Sequence, residues 1–172
     1  MVNLQHMKRF LVIFLSLFIL SCYSNNDTFQ LFPTVKSIKK YQLDSLYGPC
    51  GLCYNIDIDL INKSESTIDF WTYSCSWQEN WICSDTSIDF LIKCDKNIPL
   101  LNHLHSKDTL TFSGTIYIKD TNKNLNIPFK YGFILIKENE IKSQLNLSSA
   151  IEEKRRKGDV FVWTNDTRIQ KK

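Results

Sequence analysis

The chain has 172 residues, 43% of them hydrophobic and 13% aromatic, with only 5 Gly and 4 Pro. That composition excludes a disordered or low-complexity chain and leaves enough length for one domain with its own core. A formal net charge of +3 is too close to neutral for the strongly basic face of a nucleic-acid binder, so no nucleic-acid partner is expected.

The N-terminus carries the most organised stretch. Lys8 and Arg9 form a basic head, Phe10 to Leu20 is apolar except for Ser16, and Ile19-Leu20-Ser21-Cys22 closes the segment. An apolar run of this length falls short of the roughly 20 residues that span a bilayer. Basic head, short apolar core and small residue before a cleavage point are the parts of a secretory signal peptide. With Cys22 directly after the small residue, Ile19-Leu20-Ser21-Cys22 resembles the lipobox of bacterial lipoproteins, although Leu20 is bulkier than that family usually carries there. The resemblance implies that residues 1–21 are removed, that Cys22 is acylated, and that the bilayer is the first partner. Tyr23 supplies no acidic retention signal, which points to the outer membrane of the envelope. Competing readings are an ordinary signal peptide with an incidental Cys22, and an uncleaved anchor.

Residues 22–34 are polar with a few aromatics and read as a tether; the domain is expected over 35–172. Five further cysteines follow: Cys50, Cys53, Cys75, Cys83 and Cys94. An exported chain meets an oxidising compartment, so disulfides are the default. An odd number allows at most two bridges and leaves one thiol. Pairing stays open, with Cys75–Cys94 favoured because those two bracket a compact aromatic segment.

Val35 to Tyr47 is mixed and supplies a first strand. Over Cys53 to Asn62 the residues Tyr54, Ile56, Ile58 and Leu60 alternate with Asn55, Asp57, Asp59 and Ile61, the period-2 signature of a half-buried strand. A polar turn at 62–66 followed by Thr67 to Tyr73 predicts a hairpin. Ser87 to Lys93 and Thr109 to Lys119 are further strands, the latter with Leu110, Phe112, Ile116 and Ile118 on one face and Gly114 between them. Segments 127–137 and 140–147 flank Glu138-Asn139 as another hairpin. Ser149 and Glu152 form a capping box, acidic residues precede basic ones, and Gly158 terminates, so one short helix is predicted there. Asp159 to Thr164 reads as a last strand and Asn165 to Lys172 as a frayed end. Seven or eight strands with one late helix give an all-β class, an immunoglobulin-like two-sheet sandwich.

No constellation carries chemistry. Cys50-Gly51-Leu52-Cys53 is a C-x-x-C, but Cys53 runs straight into a strand, so no helix N-terminus is there to activate a thiolate. Cys75, Cys83 and Cys94 lack zinc-site spacing, and His103 and His105 have no companion ligands nearby. No metal, cofactor or catalytic residue is expected. Asp57, Asp59, Asp69 and Asp89 alternate with apolar residues and belong on outward strand faces.

Phe70 to Trp81 is the most unusual stretch, with three Trp, one Tyr and one Phe. Trp71, Tyr73, Trp77 and Trp81 are either core fillers or an exposed aromatic platform for a glycan, small ligand or protein partner. Ser74-Cys75-Ser76-Trp77, with Cys94-Asp95-Lys96-Asn97-Ile98-Pro99 after it, resembles small exported β-sandwich lipoproteins over roughly residues 53–118 and 160–165. That resemblance supports the sandwich and implies no activity. The functional expectation is a non-catalytic, envelope-anchored domain that binds a partner or supports an assembly.

Overall fold

The computed structural model describes residues 31–40, 52–92, 94, 96–120 and 126–169. Its strands are β1 (Leu31–Lys40), β2 (Cys53–Asn62), β3 (Ile68–Tyr73), β4 (Trp81–Cys83), β5 (Ile88–Leu91), β6 (Pro99–Leu104), β7 (Thr109–Ile118), β8 (Tyr131–Phe133) and β9 (Val162–Trp163). One helix, α1, covers Leu147–Lys157. The class is mostly β with several sheets and one short C-terminal helix.

The alternation in β2 does what it predicts. Ile56, Ile58 and Leu60 are fully buried, and the intervening polar residues form a hydrogen-bonded lattice on the opposite face. Ser37 and Ser113 hydroxyls donate to Asp57 at 2.8 and 2.7 Å, and the Thr111 hydroxyl donates to Asp59 at 2.7 Å. Those two serine bonds, aided by the nearby Lys36 and Lys39 charges, hold the Asp57 carboxyl below its ordinary value. Any stability gained this way is present above the ordinary carboxylate range and lost as pH falls through the depressed folded value.

Around β2 stands an antiparallel sheet of order β1-β2-β7-β5. β1 already pairs at Leu31, opposite Asn62, so residues 31–34 belong to the sheet rather than to the predicted tether. The hairpin predicted after β2 does not form: β3 pairs with β6 instead. The buried Asn62 side chain explains the crossing. Its Nδ2 donates to the carbonyls of Ser66, Leu104 and His105 at 2.7–3.1 Å, and its Oδ1 accepts from the Ser64 backbone and hydroxyl. This one amide ties the β2–β3 connection to the β6–β7 connection, so both chains change sheet at the same end of the molecule. Asn62 N–H also donates to the Asp108 carbonyl at 2.9 Å.

Two further sheets are β3 with β6, and β8 between β4 and β9. The buried run Ile134-Leu135-Ile136 joins them: Trp71 N–H donates to the Ile136 carbonyl at 2.8 Å, and Phe70 bridges Lys137. That pairing, with Lys137 leading into a 3-10 turn at Glu138–Glu140, replaces the hairpin predicted around Glu138-Asn139. Residues 142–146 are exposed, Leu145 included, with a second 3-10 turn at Gln144–Asn146, so no strand follows.

Burial separates two cores. Ile58, Leu60, Phe112 and Ile116 meet Phe70, Tyr131, Phe133 and Leu135 in the main one. In the other, Ile134 and Ile136 meet Leu147 and Ile151 of α1, the i, i+4 stripe of a helix whose last six residues are all charged. The helix begins at Leu147, with Ser149 inside it rather than capping it. It stops at Gly158, whose φ of 68° accepts the left-handed turn, and Asp159 N–H donates back to the Lys154 carbonyl. The end is tied further than predicted, since Thr167 pairs with Phe129 and Ile169 is buried. Asn62→Ala would take a donor from the buried Leu104 carbonyl and from the carbonyls of Ser66 and His105. It should cost about 2–4 kcal/mol in urea unfolding, and a loss within measurement error would contradict the tie.

Candidate functional site

Of the residues singled out from the sequence, Cys22 and Cys50 lie outside the described residues. Cys53 opens β2 and is disulfide-bonded. Cys75 and Cys94 form the favoured bridge, with Cα atoms 5.7 Å apart across a separation of 19 residues. A closed loop of this size is worth about 3 kcal/mol in the chain-entropy account. The bridge fastens the start of the 3-10 turn Trp77–Asn80 to the segment leading into β6. Ser76 N–H donates to Asn97 Oδ1 at 3.2 Å, and the Ser76 hydroxyl donates to Glu79 at 2.7 Å. Cys83 remains a thiol, half-buried beside Tyr131, whose hydroxyl is pushed well above its ordinary value by burial and then by that neighbour.

The four aromatic candidates do not share one outward face. Trp77, half-buried, packs against the main core, its ring centre 5.6 Å from Phe90 and 5.1 Å from Phe112. Trp81, 2% exposed, packs between Phe112 at 5.7 Å and Phe133 at 4.9 Å. Trp71 and Tyr73 point the other way, onto the core under α1. Burial raises the Tyr73 hydroxyl above its ordinary value, the Glu79 charge adds to the rise, and a hydrogen bond with Ser148 of the helix works against it. Alternation along β3 therefore divides the predicted platform between two cores. Asn80, fully buried, fixes the division by donating to the Trp71 and Ile134 carbonyls at 3.0 and 3.1 Å.

His103 and His105 sit on the exposed face of β6 and just beyond it. His103 pairs with Asp69 at 2.8 Å and His105 with the Thr67 hydroxyl at 3.3 Å. No group of three or more metal-ligating side chains occurs among the described residues.

What the sequence reading missed is a cleft of about 340 Å³ between β4, β5 and the C-terminal half of α1. Its apolar walls are Trp81, Ile82, Ile88 and Phe90, with Ile92 exposed at the margin. Charged groups stand around it: Lys119 bonds Asp89 at 3.1 Å, and Arg155 donates to the Glu79 carbonyl at 2.6 Å. The Asp89 contact raises the Lys119 ammonium above its ordinary value. β4 and β5 are edge strands of their respective sheets among the described residues. No periodicity announces such a place, because β4 is three residues long and its neighbours reach it from four separate segments.

No known protein family, curated protein or solved structure matches this chain.

Gly114 records how tightly the Trp77 ring is seated. A Cβ there would come 2.9 Å from Trp77 Cζ2, closer than real carbons pack. Gly114→Ala should therefore cost about 1–3 kcal/mol in chemical denaturation and shift the Trp77 fluorescence. A neutral effect on both would show that the ring is not held against β7.

Proposed function

We propose that this chain is a lipid-anchored, non-catalytic domain of a bacterial envelope, held by Cys22 and presenting an immunoglobulin-like two-sheet sandwich to a partner. The observation that carries the reading is the sequence Lys8 to Cys22, with its basic head, short apolar core and lipobox-like Ile19-Leu20-Ser21-Cys22. Each acyl methylene buried adds about 0.8 kcal/mol, and one chain alone binds only marginally. The roughly three chains that the lipoprotein resemblance implies make attachment effectively permanent.

The geometry of the domain fits such an anchor. β1 begins at Leu31, nine residues after Cys22, and Leu31 stands opposite Asn62 at the end where both sheet crossings lie. That end faces the bilayer in the anchored protein. Thr109 pairs next to it, with Ile61, whereas Ile118 at the other end of β7 pairs with Ile88 beside the cleft. Ten residues of strand span about 30 Å. The cleft is thus held away from the lipid, where a partner in the compartment reaches it.

The glycan-binding alternative rests on exposed aromatic faces, and the division of Trp71, Tyr73, Trp77 and Trp81 between two cores gives it no support. Cys22→Ser should leave the protein unprocessed or release it into the soluble fraction. A variant that still fractionated with membranes at mature size would overturn the anchored reading.

A further inference from the structure

Strand β6 has β3 on one side only, and their register runs without a shift from Ile68 opposite Leu104 to Tyr73 opposite Pro99. Two bonds fix the direction of its backbone groups. Ser74 N–H donates to the Ile98 carbonyl, toward β6, whereas Trp71 N–H donates to the Ile136 carbonyl on the opposite side of β3. Backbone direction alternates along an antiparallel strand. The β6 residues opposite Tyr73, Trp71 and Asp69, which are Pro99, Leu101 and His103, therefore turn away from β3. Among the described residues no backbone group meets the outward side of Leu101 or His103. Native edges are blunted by lysines, bulges or a covering segment, and Pro99–Leu104 has no lysine and no bulge. Leu100, 46% exposed, stands at this edge, with the exposed Ile98 just before it.

The sequence of the edge singles out a second copy of itself. Two antiparallel β6 strands related by a twofold axis at Asn102 place Leu101 opposite His103 of the second copy. Each such pair exchanges both backbone bonds, which gives four in all. The same register sets Pro99, which has no N–H, opposite His105, whose carbonyl already accepts from Asp108 N–H and Asn62 Nδ2. The one missing donor thus meets an acceptor that needs none. An axis at Leu101 would instead put Pro99 opposite His103 and leave the outward His103 carbonyl bare. Side chains agree with the first register. Leu100 comes to lie across from Leu104, under the second copy's strand. His103, the only titratable residue of β6, is held by Asp69 at 2.8 Å and meets Leu101, so no like charges oppose.

We propose that β6 is a self-association edge, at which two copies of this chain join their β3-β6 sheets into one four-stranded antiparallel sheet. The inference rests on β6 alone, and an anchor at Cys22 is compatible with it. Asn62, opposite Leu31, bonds the Leu104 carbonyl two residues from the axis, so the two β1 strands start about 13 Å apart along the strand direction. The nine residues from Cys22 to Leu31 reach up to about 30 Å.

The test uses the full chain in density-matched detergent micelles, with micelles in excess over protein. Sedimentation equilibrium should show a reversible dimer with a Kd below about 100 µM, as suits a small contact. In the same unaltered protein the Leu101 and His103 amides should exchange with solvent at least about threefold more slowly at about 500 µM than at about 5 µM. His103→Pro removes one outward donor and leaves the β3 ladder in place, so it should weaken the dimer about tenfold or more. His103→Ala loses the same contact with Asp69 but keeps its N–H, and should stay within about threefold of the native Kd. The exchange comparison needs no variant, so it holds even if His103→Pro misfolds. A chain monomeric at about 500 µM, exchange independent of concentration, or a folded His103→Pro that behaves like His103→Ala would overturn the proposal. So would protection of both amides that appears only when another protein is added, which would assign the edge to a different partner.

Discussion

A chain of aromatic contacts joins the β-sheets, and the rest of the structure depends on it. Phe70 touches Phe133, Phe133 touches Trp81, Trp81 touches Phe112, and Phe112 touches Trp77. From Trp77 the contacts continue through Phe90 and Tyr131 to Phe129. Ring centres along this path are 4.9–5.7 Å apart, within the range where offset and edge-to-face pairs add about 0.5–1.5 kcal/mol beyond the area they bury. Consecutive rings come from β3, β8, β4, β7, the 3-10 turn at Trp77, β5, β8 again and the segment before it, so the path links all three sheets. Buried aliphatic residues, among them Ile56, Ile58, Leu60, Ile116 and Leu135, fill the rest of the same core.

This explains why so aromatic a segment leads to so little exposed aromatic surface. Phe70 to Trp81 first runs as a strand, turning Phe70 inward and Trp71 and Tyr73 toward the helix. It then reverses through Trp77–Asn80 and turns Trp77 and Trp81 inward. The disulfide at Cys75 and the buried Asn80 amide fix that reversal on either side. Trp81, whose burial closes the core, also lines the cleft, and its indole N–H is left without a partner. Structure and candidate site are here the same residues.

Where one face of a strand is core and the other is solvent, the sequence was easy to read. β2 and β7 stand where alternation puts them, because Ile56, Ile58, Leu60, Phe112 and Ile116 repeat at a spacing of two. Gly158 ends α1 for a reason visible in its own chemistry. Pairing was another matter. The turn at 62–66 looks like a hairpin turn, and only the fold reveals that Asn62 sends the chain across to the other sheet. Ile134-Leu135-Ile136 is buried on both faces, Leu135 in one core and its neighbours in the other, so it has no alternation to read. The cleft was illegible for the same physical reason: its groups come from β4, β5, the end of β7 and α1, and nothing local relates them.

The claim that rings from separate sheets form a single cooperative unit is tested most directly by native-state amide hydrogen exchange. The account predicts that the slowest amides of β2 and β7 and those of β8 share one opening free energy, equal to that of global unfolding. If the β8 amides exchanged through a separate opening several kcal/mol lower, the sheets of β8 and of β2 and β7 would be independent and the aromatic path would not hold the fold together.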